Sequence, residues 1–125
     1  MKFHLYNEAG AHLNGRLTYT AASAIERGDV LKFGDDGKVA KCDAAGDAAI
    51  GVALDGAAAG EILSVAILGS FNGTVVVKAG GAVTKGAKVN ALGAAAGDNE
   101  AAVGVALDEA VAAGDLIEVA HCVRG

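Results

Sequence analysis

The chain has 125 residues and contains neither proline nor tryptophan. Without proline, its reverse turns have to be made by Gly, Asn and Asp. Aromatic residues are 4% of the chain, so any core must be built from Val, Leu, Ile and Ala. No apolar run approaches the roughly 18 residues that a membrane-spanning helix needs, and no membrane partner is expected. Basic residues are few and scattered, 10 Lys and Arg against 15 Asp and Glu, for a formal net charge of -5. Contact with phosphate backbones needs grouped Lys and Arg, so no nucleic-acid partner is expected. The start, Met1 to Asn7, has no apolar stretch followed by a cleavage site. No secretory leader is therefore expected, and synthesis in a cytoplasm is the simpler reading. The two cysteines, Cys42 and Cys122, then read as free buried thiols rather than a disulfide.

The chemistry-bearing patterns are also missing. Nucleophilic catalysis needs a Ser, Cys or Thr with a His base and an orienting group. Ser23, Ser64 and Ser70 lie in no nucleophile elbow, and the histidines are His4, His12 and His121. The adjacent His121 and Cys122 fall on an expected strand, where neighbours point to opposite faces. There is no CxxC or HxxxH spacing for zinc. Asp35-Asp36-Gly37 and Asp98-Asn99-Glu100 lack the twelve-residue calcium pattern, and Ala79-Gly80-Gly81-Ala82 lacks the context of a nucleotide loop. Arg27-Gly28-Asp29 spells an integrin-type tripeptide, which reads here as a turn before a strand. No catalytic residue, metal site or cofactor is assigned, and the chain reads as a non-enzyme.

What is abundant is glycine, 19 residues, and alanine, 29 residues. The clearest organisation is an internal repeat. Ile50-Gly51-Val52-Ala53-Leu54-Asp55 returns as Val103-Gly104-Val105-Ala106-Leu107-Asp108. Each copy is followed by an alanine-rich turn, a glycine with an acid (Gly60-Glu61; Gly114-Asp115) and an apolar run (Ile62 to Ala66; Leu116 to Ala120). Such self-similarity decides the fold reading before anything else. Repeat one spans 24–68 and repeat two 82–123, within a duplicated domain 24–125. The repeated acids Asp55 and Asp108 read as strand ends that cap the next turn. The copies are apolar on both faces, so each is a strand covered twice or placed in a subunit contact. The small Gly51, Ala53, Gly104 and Ala106 would let another sheet approach closely.

Short runs with turn signals every eight to twelve residues indicate an all-β barrel or sandwich. No window carries the 3.6-residue stripe of a helix, which overrides the helix propensity of so many alanines. Ala57-Ala58-Ala59-Gly60 is expected to be one helical turn closed by glycine. Asp36-Gly37 predicts a type I′ hairpin between Val30–Phe33 and Lys38–Cys42. Residues 1–23 form an N-terminal strand or arm. Phe3 and Leu5 alternate with His4 and Tyr6, and Leu13, Leu17 and Tyr19 share a face. This segment either completes the sheet of its own domain or adds to a neighbouring subunit.

Ala24-Ile25-Glu26-Arg27-Gly28-Asp29-Val30-Leu31, followed by Ile50–Asp55 with Ala57-Ala58-Ala59-Gly60-Glu61, resembles the signature of phage capsid cement or head decoration proteins. The resemblance covers about residues 20–70, and residues 1–19 carry none of it. It implies a β-rich structural virion protein on the capsid exterior, often a homotrimer, that reinforces the shell by bridging major capsid protein subunits. Phe3, Leu5, Tyr6, Leu13, Leu17 and Tyr19 are then the candidates for a capsid-binding arm working by β-addition. The alternatives are a biotinyl- or lipoyl-like carrier, which Val83-Thr84-Lys85-Gly86-Ala87-Lys88-Val89 faintly resembles, and a tail or fibre accessory module.

Overall fold

The computed structural model describes residues 16–34, 36–69, 73–97 and 100–121. The structure is all-β, and among the described residues there is no helix. Among these residues nine strands follow in order: β1 (Arg16–Thr20), β2 (Val30–Phe33), β3 (Val39–Lys41), β4 (Gly51–Ala53), β5 (Ile62–Ile67), β6 (Thr74–Lys78), β7 (Lys88–Val89), β8 (Gly104–Ala106) and β9 (Leu116–Ala120). They form two antiparallel sheets, ordered β1-β5-β4-β2-β3 and β6-β9-β8-β7. A parallel bridge between Ala21 and Val39 ties one corner of the first sheet, but neither sheet closes into a barrel. The fold is sandwich-like.

The two sheets are copies of one plan. Gly51 pairs with Ile67 and Ala53 with Val65 on β4 and β5, while Ala106 pairs with Val119 on β8 and β9. The correspondence also reaches ahead of residue 24. β1 runs beside β5 with Leu17 opposite Val65, and β6 runs beside β9 with Val75 opposite Val119. Arg16–Thr20 and Thr74–Lys78 are therefore counterparts, although RLTYT and TVVVK share no residue in register. Ala21 and Ala79 make matching bonds, donating to Glu61 and Asp115 and accepting from Gly60 and Gly114. Ile25 pairs with Ala57 as Val83 pairs with Ala110.

Strand alternation sends side chains to two separate cores. Leu31, Val39, Ala53, Leu63 and Val65 form a core inside the first half, with Ala21 and Ile25. Their neighbours Val30, Val52 and Ala66 point to the other face. There, with Cys42, they join Val75, Val77, Val89, Ala106, Ile117 and Val119 of the second half in one cluster. The two-sided apolar character of Ile50–Leu54 is thus a strand covered twice within one chain.

The repeated glycines answer a constraint different from the one expected. A Cβ on Gly51 would meet the Ala66 carbonyl oxygen at 2.5 Å and Val65 Cγ1 at 2.6 Å. On Gly104 it would meet the Ala120 carbonyl oxygen at 2.4 Å and Val119 Cγ1 at 2.6 Å. The close neighbour is the adjacent strand of the same sheet, not another sheet.

Three local expectations also change. At the β2–β3 connection Gly34 N–H bonds the Lys38 carbonyl at 2.7 Å. Gly37 has positive φ and Asp36 does not, so the turn is not type I′, which needs both. Ala57–Gly60 is a reverse turn rather than a helical one. Glu61 N–H bonds the Ala58 carbonyl at 3.0 Å with Gly60 at φ 87°, the geometry of a type II turn. Asp55 and Asp108 do not cap that turn. They accept from Ser64 N–H and Glu118 N–H on the next strand, at 3.4 and 3.1 Å. Glu61 and Asp115 do the capping, from Ala58 N–H at 2.7 Å and Val111 N–H at 2.9 Å.

Gly51→Ala should cost about 1–3 kcal/mol of stability through overpacking. Gly46→Ala, where a Cβ meets nothing within 4 Å, should stay within about 0.5 kcal/mol. Urea unfolding of the two variants beside the parent checks both expectations.

Candidate functional site

The most polar part of the interior lies on the seam between the halves. Gly28 occupies a type II turn, with Asp29 N–H bonded to the Glu26 carbonyl at 3.1 Å and φ 90° at Gly28. This turn is pressed against β6. The Gly28 carbonyl accepts from Lys78 N–H at 2.8 Å, and a Cβ on Gly28 would meet that nitrogen at 2.9 Å and Leu116 Cδ2 at 3.0 Å. The Lys78 ammonium bonds the Glu26 carboxylate and lies 3.4 Å from Asp29 Oδ1. The Asp29 side chain is 3% exposed, and its Oδ2 accepts from Glu26 N–H at 2.8 Å. Its Oδ1 has ion pairs to Lys78 and, at 3.9 Å, to Lys41, but no hydrogen bond. Burial raises the Asp29 carboxyl above its ordinary pKa, and Lys41 opposes that shift.

Two clefts run along the seam. One of about 430 Å³ is lined by Asp29, Lys41 and Cys42 on one side and Lys78, Ala91 and Leu92 on the other. Burial pushes the Cys42 thiol up to about 11. It therefore stays protonated at neutral pH and is a poor nucleophile. The other cleft, about 330 Å³, is bordered by Asp47, Leu68, Gly69, Val103 and His121. Gly69 N–H donates to His121 Nδ1 at 2.8 Å, which ties the end of β5 to the end of β9. Burial lowers the His121 pKa. Among the described residues no group of three or more His, Cys, Asp or Glu could hold a metal ion.

The acids near these clefts organise loops. Asp47 accepts from Asp43 N–H at 2.9 Å, Ala44 N–H at 3.0 Å and Lys32 Nζ at 3.2 Å. Those bonds hold its carboxyl down at about 2. Glu100 is its counterpart, accepting from Gly97 N–H and from Asn90 Nδ2, both at 2.9 Å. The Arg-Gly-Asp tripeptide is a turn with its carboxylate buried at the seam. Cys42 N–H bonds the Val30 carbonyl as Ala96 N–H bonds that of Lys88. Ala96 is therefore the counterpart of Cys42.

Of the candidate arm residues, Phe3, Leu5, Tyr6 and Leu13 lie outside the described residues, as does Cys122. Leu17 and Tyr19 are half-buried on the inner face of β1. Tyr19 packs edge-on against Phe33, with ring centroids 5.3 Å apart at 75°. The structure thus gathers Asp29, Glu26, Lys41 and Lys78, which the sequence did not single out as a group. The only sequence cue was an Arg-Gly-Asp turn whose repeat counterpart, Lys85-Gly86-Ala87, lacks the acid.

A family model described as phage cement protein matches residues 11–121. The chain belongs to the phage cement protein family. Its members are structural phage proteins, and this cement protein's seam fits that role, because its charged groups hold two halves together. The crystal structure of head fiber gp8.5 N base in bacteriophage phi29 shares the fold with a TM-score of 0.60 at 22% identity, covering 85% of this chain and 92% of that one. No curated protein matches the sequence.

Two measurements test the seam. Lys78→Met strips the nearest cation from a buried carboxylate and should cost about 2–3 kcal/mol. Adding Asp29→Ala, the residue type found at position 87, should recover part of that loss. His121 has a depressed folded pKa, so its contribution is present above its ordinary value near 6.5. It is lost as pH falls through the lower folded value. Tm should therefore drop between pH 7.5 and 5.5 in the parent, and drop less in His121→Gln.

Proposed function

We propose that this cement protein binds the outer surface of a phage capsid and stabilises it by bridging neighbouring major capsid protein subunits. In this role it acts as a homotrimer, without catalysis and without a cofactor. Family membership over residues 11–121 carries the reading. The fold supports it. Two cores sharing one sheet make a stiff body, and a stiff body transmits load between the subunits it touches. Exposed aliphatics stand on that body in solvent, including Val111 at 80% and Ile62 at 72% exposure. Apolar surface of this kind marks contact sites more often when it clusters at one place.

The chain ahead of β1 is the proposed capsid-binding arm, with Phe3, Leu5, Tyr6 and Leu13 as its apolar contacts. Leu17 and Tyr19 root it, because their side chains point into the first half and β1 is an edge strand. β-Addition by such an arm gives affinity through main-chain hydrogen bonds. Three arms on one trimer convert weak contacts into strong ones. The carrier alternative has less support. Lys85 stands exposed in the turn closed by Ala87 N–H and the Thr84 carbonyl at 3.0 Å, but the flanking residues of a modified lysine are missing.

Capsids lacking this protein should release DNA at lower temperature or under milder osmotic shock than complete particles, and added protein should restore them. Protein missing residues 1–15 should melt like the full chain yet fail to co-sediment with capsids. Equal robustness of capsids with and without the protein would sink the cementing role.

A further inference from the structure

We propose that copies of this chain join one another by repeating, between molecules, the seam that joins the two halves within each molecule. This rests on the self-association part of the proposed function and names its contact surfaces. The internal seam is heterologous: the β6 corner of the second half sits on the turn and back face of the first half. Lys78 and Leu116 lie against Gly28, and Val30, Cys42, Val52 and Ala66 are covered. Among the described residues the counterpart contact is not made. Gly86 corresponds to Gly28, with the same φ of 90°, and a Cβ there would meet nothing within 4 Å.

Both sides of the unmade seam are open. On one side, Ile62 is 72% exposed where its counterpart Leu116 is 49% exposed, and the half-buried Thr20 corresponds to Lys78 on an edge strand. On the other side, Lys88, Val105, Ala120 and Ala96 correspond to the covered Val30, Val52, Ala66 and Cys42. Lys88 is exposed and the other three are only half-buried. A heterologous contact with both surfaces free propagates from copy to copy, and it closes into a ring where the rotation allows.

The charges select a second copy as the occupant. Inside the chain, Lys78 faces Glu26 and Asp29. On the open surfaces, Thr20 takes the place of the lysine, and Thr84 and Ala87 take the places of the two acids. Both sides lose their charge together. A lone Lys at position 20 would meet no acid, and lone acids at 84 and 87 would meet no lysine. The two surfaces match each other as a version of the internal seam without its lysine–acid pair, with Lys88 exposed where Val30 is covered.

Sedimentation velocity of the purified protein over a concentration series tests this. The parent should self-associate. Ile62→Asp should weaken association by about thirtyfold or more, the loss typical of a hot-spot residue. Val111→Asp, at 80% exposure and outside the contact residues named above, should leave it unchanged, and circular dichroism should find both variants folded. Thr20→Lys with Thr84→Glu recreates the Lys78–Glu26 pair. That double variant should associate more tightly than either single one at low salt, with the gain lost at high salt. If the parent is an oligomer that Ile62→Asp leaves intact, the repeated seam is overturned while trimeric cementing stands. If the parent is a monomer at every concentration, both self-association claims fail. A double variant no tighter than its singles also overturns the seam, because the paired positions then do not face each other.

Discussion

The back face of the first sheet cannot face water, and the rest of the architecture follows from that. Val30, Val52 and Ala66 alternate with Leu31, Ala53 and Val65, so every central strand of this sheet is apolar on both sides. Its inner face is sealed by its own turns and by Ile25. Its outer face has only the second half to cover it. At about 25 cal/mol per Å² of apolar surface removed from water, leaving three such strands bare on one side would forfeit several kcal/mol. That is a large share of the stability of a domain this size. The second half is thus a structural requirement of the first.

The same burial explains why the polar groups of the seam are so specific. A turn pressed against a neighbouring strand must satisfy its carbonyl, and Lys78 N–H does this for Gly28 at 2.8 Å. A carboxylate buried beside that turn must keep a cation near it. Lys78 therefore serves twice, through its backbone and through its ammonium. Lys41 lies 3.9 Å from the same oxygen on the cleft side. The ion pairs fix which half meets which, because the second half has Ala87 where the first has Asp29.

Much of this plan was legible in the residues. The repeated Gly-Val-Ala-Leu-Asp marked β4 and β8, and short apolar runs marked β2, β5 and β9, because period-2 patterning survives any tertiary context that keeps a strand half-buried. The glycine-acid pairs after the alanine turns were also visible, though not as type II turns, since Gly60 and Gly114 give the turn its φ while the alanines carry no signal of their own. The equivalence of β1 and β6 was not legible. Arg16–Thr20 is half exposed and Thr74–Lys78 lies against the other half, so burial selected different side chains on the same backbone register. The seam was hidden for a related reason. Lys78 lies 52 residues along the chain from Glu26, and Glu26, Asp29 and Lys78 each have an ordinary surface reading when taken alone.

Duplication also changes what a sheet can do for assembly. A single half would have one hungry back face and one corner that fits it, and it would polymerise indiscriminately. Joining two halves in one chain satisfies the more apolar of the two back faces permanently, with no dependence on concentration. The second back face carries Lys88 where the first carries Val30, so it tolerates water and remains competent for contact. On the proposed reading, one seam is a folding interaction and the other an association governed by mass action. On that reading the copies stay apart while dilute and would close on their neighbours where a capsid surface gathers many of them together. The loss of charge at Thr20, Thr84 and Ala87 has the sign this requires. A seam without that ion pair is weaker than the paired one inside the chain, so copies dissociate before the halves do.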